Sequence, residues 1–180
     1  LSMINKRSNE SSHLQSDLQY YKSFMEWGMD GETNAFLEEV FLWLSENLPL
    51  SPNPKKLCWG DSRIGNVLFE DFQVKSLLDW EMATIGDPLC DLAWGLTTDD
   101  VSSHGLNIEK LPGSIANEEA IKFWEKNTGF SADNFFYYRI LCLFKFSVIM
   151  IRVAKKLIHN EIMPLDSCLL YTSPSPRDWL

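Results

Sequence analysis

Glycine is scarce in this chain: nine among 180 residues, with only Gly28, Gly31 and Gly60 in the first third. That third therefore offers no Gly-rich turn whose successive backbone amides could cradle a phosphate. No Val-Ala-x-Lys-like strand precedes residue 61 either. Basic clusters are missing as well. Sixteen Lys and Arg stand against 25 Asp and Glu, the net charge is −9, and no stretch of cations could track a phosphate backbone, which excludes nucleic acid as a partner. The acidity reads first as a solvated surface and only second as an attraction for a cationic substrate. Cys58, Cys90, Cys142 and Cys168 lack metal-type spacing and sit in apolar contexts. That pattern fits reduced thiols in a cytoplasmic protein better than a disulfide framework. His13, His104 and His159 are scattered, without carboxylate or Cys partners at ligand spacing. No long uncharged run is present: the most apolar stretch, residues 135–158, carries Lys145, Arg152 and Lys156. A membrane span needs about 20 nearly uncharged residues, so this stretch reads as a lobe helix with those three cations on one wet side. No signal or transit pattern follows Leu1.

What the chain does have is concentrated in residues 59–81. Trp59-Gly60-Asp61-Ser62-Arg63-Ile64-Gly65-Asn66 is followed, one strand later, by Leu78-Asp79-Trp80-Glu81. An Asp, an Asn five positions on and a second Asp are the parts that phosphoryl transfer requires. Asp61 can accept the proton of an attacking hydroxyl, while Asn66 and Asp79 can hold the magnesium that neutralises nucleotide phosphates. Protein kinases show the same layout. Arg63 adds a fixed cation on the same loop, suited to the charge on a transferring phosphoryl group. Glu81 either tunes a second magnesium or pairs with a neighbour.

The stretch Leu57-Cys58-Trp59-Gly60-Asp61-Ser62-Arg63-Ile64-Gly65-Asn66-Val67-Leu68-Phe69, with Leu77-Leu78-Asp79-Trp80-Glu81-Met82-Ala83-Thr84-Ile85-Gly86-Asp87-Pro88-Leu89-Cys90-Asp91-Leu92-Ala93-Trp94, resembles the aminoglycoside-phosphotransferase-like family. Within that family it is similar to the branch of kinase domains linked to acyl-CoA dehydrogenases, as is Leu111-Pro112-Gly113 before an acidic helix start. The resemblance runs from about residue 6 to 165. It implies an α+β, mainly helical fold: the C-terminal lobe of a kinase-like protein, in which a small strand element carries the catalytic loop. It implies ATP and Mg2+ as cofactors and a small-molecule hydroxyl as the acceptor. Family members act on aminoglycosides, choline, sugars and, in the dehydrogenase-linked branch, hydroxyacyl-CoA-type molecules; the branch points to the last of these. The family motif usually opens with a His that supports the loop backbone, where this chain has Trp59. The acid matching Asp91 braces the catalytic loop in the family, which gives Asp91 a structural role. The alternative to an enzyme is a kinase-like scaffold that binds without turnover, with Trp59 as its symptom.

The remaining elements follow from periodicity and punctuation. Apolar residues from Leu14 to Trp27 have helical spacing, and Gly28 with Asp30-Gly31 ends that segment. A second helix is expected from Thr33, with Phe36, Leu37, Val40, Phe41, Leu44 and Leu48 on its apolar side and Pro49 as its stop. Residues 57–59, 67–69 and 74–78 read as short strands, and Gly60 and Gly65 as the flexible points of a sharp catalytic loop. Asp87-Pro88 caps a helix. Residues 97–110, with Asp99, Asp100 and His104, read as a polar loop beside the site. Asn117 caps a helix running to about Asn127, before Gly129. At the ends, residues 1–13 read as a frayed polar segment of a truncated chain whose small lobe is missing, and 14–167 as the helical lobe. Cys168-Leu-Leu-Tyr-Thr-Ser-Pro-Ser-Pro-Arg-Asp178 resembles the translation of a transposase-type sequencing adapter, as expected of a reading frame from a fragmentary metagenomic assembly. Residues 168–180 are accordingly set outside the fold.

Overall fold

The structure, a computed structural model, describes residues 13–105, 109–110 and 112–164. The expected frayed segment up to residue 12 and the tail 168–180 lie outside the described residues, while His13 is already the first residue of a helix. That helix, α1 (His13–Met29), buries Leu18, Tyr21, Met25 and Met29 at intervals of three and four, which puts them on one face. Helix α2 (Ala35–Glu46) starts two residues after Thr33, where it was expected to begin. Its N-cap is Asn34, whose side chain accepts a bond from the Leu37 amide at 3.1 Å.

Two antiparallel ribbons follow. Strand β1 (Lys56–Cys58) pairs with β4 (Thr84–Gly86), and β2 (Val67–Glu70) pairs with β3 (Gln73–Leu77) with a register shift between Leu68 and Phe69. A short 3-10 turn, Ile64–Asn66, leads into β2. Strand β4 was not expected, since three residues are too few to show alternation. The β2–β3 turn places Asp71 and Phe72 at φ 50° and 60°, the left-handed geometry that a two-residue hairpin requires.

Three helices complete the lobe: α3 (Leu89–Gly105), α4 (Asn117–Thr128) and α5 (Phe135–His159). The architecture is α+β and mainly helical. Helix α5 is the centre, packed against α1, α2 and α3, and it buries Tyr138, Leu141, Phe144 and Val148. The Tyr137 hydroxyl donates to the Leu44 carbonyl at 3.0 Å, which ties α5 to α2. The aromatic residues of α2 serve packing: Phe41 meets Phe144 at 6.3 Å between ring centroids, and Trp43 stacks on Tyr137. No helix of the described residues is long and apolar enough to cross a membrane.

Four expectations need correction. Residues 97–105 are not a loop but the second half of α3. Thr98, Ser102 and Ser103 return their hydroxyls to the carbonyls four residues back, so a polar composition still satisfies a helix. Asn117 is not the cap of α4, which is Ala116. The Asn117 side chain instead donates to buried Asp100 at 2.7 Å. Lys145 is not on a wet stripe. It is buried at 3.1 Å from Asp17 of α1, beneath the Tyr21 ring. Gly65 has no left-handed backbone, whereas Gly60 does.

Candidate active site

Strand β1 delivers the chain into a loop whose backbone is held from α3. Gly60 sits at φ 93°, and a Cβ there would stand 2.4 Å from the Met82 carbonyl oxygen, so only glycine fits. The Asp91 carboxylate accepts the Trp59 amide at 2.7 Å and the Gly60 amide at 2.8 Å, and the Ser62 hydroxyl donates to the Asp91 carbonyl at 2.6 Å. Asp91 thus braces the loop, as the family pattern implies. Burial raises its pKa above the usual carboxylate value, and those two amides followed by Lys145 hold the rise back. Helix α3 can come this close because residue 95 is glycine: a Cβ there would lie 2.8 Å from the Ser62 carbonyl oxygen. The start of α3 is also secured. Asp87 accepts the Leu89 amide at 2.9 Å, as its expected N-cap role requires, and also takes bonds from Ser51 and Asn53.

Asp61 receives three donors. Its Oδ1 accepts the Trp94 indole N–H at 2.7 Å. Its Oδ2 accepts the Asn66 amide at 2.6 Å and the Arg63 Nε at 3.1 Å. Asn66 is buried, and the same amide nitrogen lies 3.0 Å from the Asp61 carbonyl. With its nitrogen committed, Asn66 has its oxygen left to offer a cation.

Asp79 follows β3 with φ 60°, a conformation that few non-glycine residues adopt. Two bonds hold the preceding residue: the Leu78 amide donates to the Asn66 carbonyl at 2.8 Å, and the Trp59 indole donates to the Leu78 carbonyl at 2.7 Å. Trp59 therefore supports backbone, as the usual His does, but reaches across to the segment of Asp79. Asp61, Arg63, Asp79 and Glu81 all line one cleft of about 680 Å3, while buried Asn66 is outside its lining and bonded to Asp61. The same cleft is lined by Tyr20, Tyr21 and Phe24 of α1 and by Phe146, Ile149 and Met150 of α5. Sequence reasoning missed this wall, as it missed Trp94. Trp94 stands three residues after Asp91, on the same face of α3. Among the described residues no three His, Cys, Asp or Glu side chains are arranged around one metal.

Residues 8–120 match the sequence model of the phosphotransferase enzyme family (APH). The chain belongs to this family. Acyl-CoA dehydrogenase family member 11 of Rattus norvegicus is 28% identical over 151 residues, covering 78% of this chain and 19% of the relative. The Gallus gallus protein of the same name is 33% identical over 122 residues, covering 61% and 16% respectively. The chain thus spans about a fifth of the length of the curated relatives it matches. Among solved structures, an aminoglycoside phosphotransferase-like protein of Ralstonia eutropha JMP134 superposes with a TM-score of 0.68 at 16% identity, over 97% of this chain and 54% of that one. At that identity the likeness concerns the fold, which is kinase-like.

Proposed function

We propose that this phosphotransferase-family chain carries the catalytic loop of an ATP-dependent small-molecule kinase, which moves the γ-phosphate of ATP to a substrate hydroxyl. The observation that carries the reading is the placement of the Asp61 and Asp79 carboxylates on one cleft, with Asn66 bonded to Asp61. Asp61 orients the hydroxyl and takes its proton. Asn66 and Asp79 hold Mg2+; an amide oxygen and a carboxylate are the hard donors that this ion prefers. When bound, the ion neutralises charge on the nucleotide phosphates. Arg63 stays paired with Asp61 through Nε, and the terminal nitrogens of its half-exposed guanidinium are left to meet the transferring phosphoryl group. Trp59 supplies its own backbone brace, so its presence gives no argument for an inactive scaffold.

The cleft also bears on the acceptor. Beyond the acids of the loop, its described wall is mainly aromatic and aliphatic, with Tyr20, Tyr21, Thr98 and Ser102 as the hydroxyl-bearing members. A polycationic aminoglycoside would find no carboxylates there to pair with its outer amines. An acceptor with an apolar body, such as a hydroxyacyl group, fits better. The test uses the chain within its complete gene product, with Mg–ATP and hydroxyacyl-CoA substrates. Asp61→Asn should lower kcat by about 100-fold or more, the usual contribution of a general base, with nucleotide binding retained. Asp79→Asn should instead weaken Mg–ATP binding. Near-wild-type turnover in both variants would sink the kinase reading.

A further inference from the structure

We propose that Trp94 is the positioning residue of the reaction, fixing which oxygen of Asp61 receives the proton; this rests on the kinase reading above. A carboxylate has two oxygens with about four acceptor sites. In Asp61 the Oδ2 sites are taken by Asn66 at 2.6 Å and Arg63 at 3.1 Å, and one Oδ1 site by the Trp94 indole at 2.7 Å. One acceptor site is left, on Oδ1. An alcohol in the cleft is therefore steered to that oxygen. As its oxygen bonds to the γ-phosphorus, the bond from phosphorus to the bridging oxygen breaks, the electron pair leaves with ADP, and the hydroxyl proton passes to Oδ1.

The indole is built to hold that direction. Trp94 is 4% exposed, and its ring meets Phe146 of α5 edge-on at 6.4 Å between centroids. The Lys145 ammonium lies 5.8 Å from the ring and is itself held by Asp17. The indole N–H donates and cannot accept, so it can make this bond only to an acceptor oxygen. Trp94 and Asp91 stand three residues apart on α3, so a single helix sets the loop backbone through one and the carboxylate through the other.

The test reads the geometry directly, by 1H–15N NMR of the 180-residue chain. Trp94→Phe keeps a packed ring and removes the donor, and its spectrum assigns the Trp94 indole peak. In the wild-type chain this peak should lie downfield of the other indoles and exchange slowly with solvent. Asp61→Ala, which leaves Trp94 in place, should abolish both properties. Trp94→Phe should in turn shift the Asn66 side-chain amide and Arg63 Nε–H peaks as the Asp61 carboxylate loses its fixed plane. A Trp94 peak that Asp61→Ala leaves unmoved overturns the proposal. So do Asn66 and Arg63 peaks that Trp94→Phe leaves unmoved. Mn2+ added alone gives a separate readout: broadening at Asn66 and Asp79 supports the metal assignment. Its absence, with the indole result intact, counts against the kinase reading and not against the Trp94–Asp61 bond.

Discussion

Gly60 is the residue with least freedom to change. Its φ of 93° and the Met82 carbonyl in the space of its missing Cβ are two separate obstacles to a side chain. Gly60→Ala should cost about 1–2 kcal/mol from the left-handed backbone alone, and more from the clash. A urea melt checks the loss, and movement of the Trp59 and Asp61 resonances checks the displaced loop. Asp79 occupies similar backbone territory as an acid. It stays there because bonds from Trp59 and to Asn66 fix the residue before it. At this scale the motif was legible: Asp61, Arg63, Asn66 and Asp79 announce themselves by spacing along one loop and one strand. Trp94 and Trp59 were not, because their nitrogens bond partners 33 and 19 residues away. Nothing local in an indole marks such a bond.

At the scale of elements, one largely buried ion pair is a main polar tie between α1 and α5. Asp17 and Lys145 are 3.1 Å apart with side chains 6% and 12% exposed. Removing one partner strands a charge and costs about 3–5 kcal/mol, while replacing both by apolar residues restores much of the loss. Asp17→Asn should therefore destabilise the chain strongly, and the Asp17→Leu/Lys145→Met pair much less, as thermal melts would show. The pH dependence has a definite sign. Burial alone would lower the Lys145 pKa, but Asp17 outweighs it, and the folded value lies above the ordinary 10.5. The proton is held more tightly in the folded chain, so this contribution is complete below 10.5 and is lost as pH rises through the folded value. Melts in the alkaline range should fall more steeply for the wild type than for the double variant. Periodicity placed Lys145 on a helix side with Arg152 and Lys156, but a partner 128 residues away has no trace in the local pattern. The second half of α3 was hidden differently. Thr97, Thr98, Asp99 and Asp100 look like a loop, but Asp100 is buried with Lys110, Asn117 and Arg139 coming back to it.

For the molecule as a whole, the decisive ties join its beginning to its end. Leu44 meets Tyr137 across 93 residues, Met29 meets Lys155 across 126, and Asp17 meets Lys145 across 128. Helical proteins rich in local contacts fold quickly, and this one departs from that pattern. Refolding followed by stopped-flow fluorescence should be slower than for a helical bundle of equal size, and a chain stopped at residue 134 should show helical signal without a cooperative melt. The same wiring has a consequence during synthesis. The apolar faces of α1 and α2 leave the ribosome about a hundred residues before α5 can cover them. At roughly 5–20 residues per second, that is on the order of ten seconds of exposure. Each nascent chain therefore passes through an interval in which those faces are open to other chains before its own last helix can close over them.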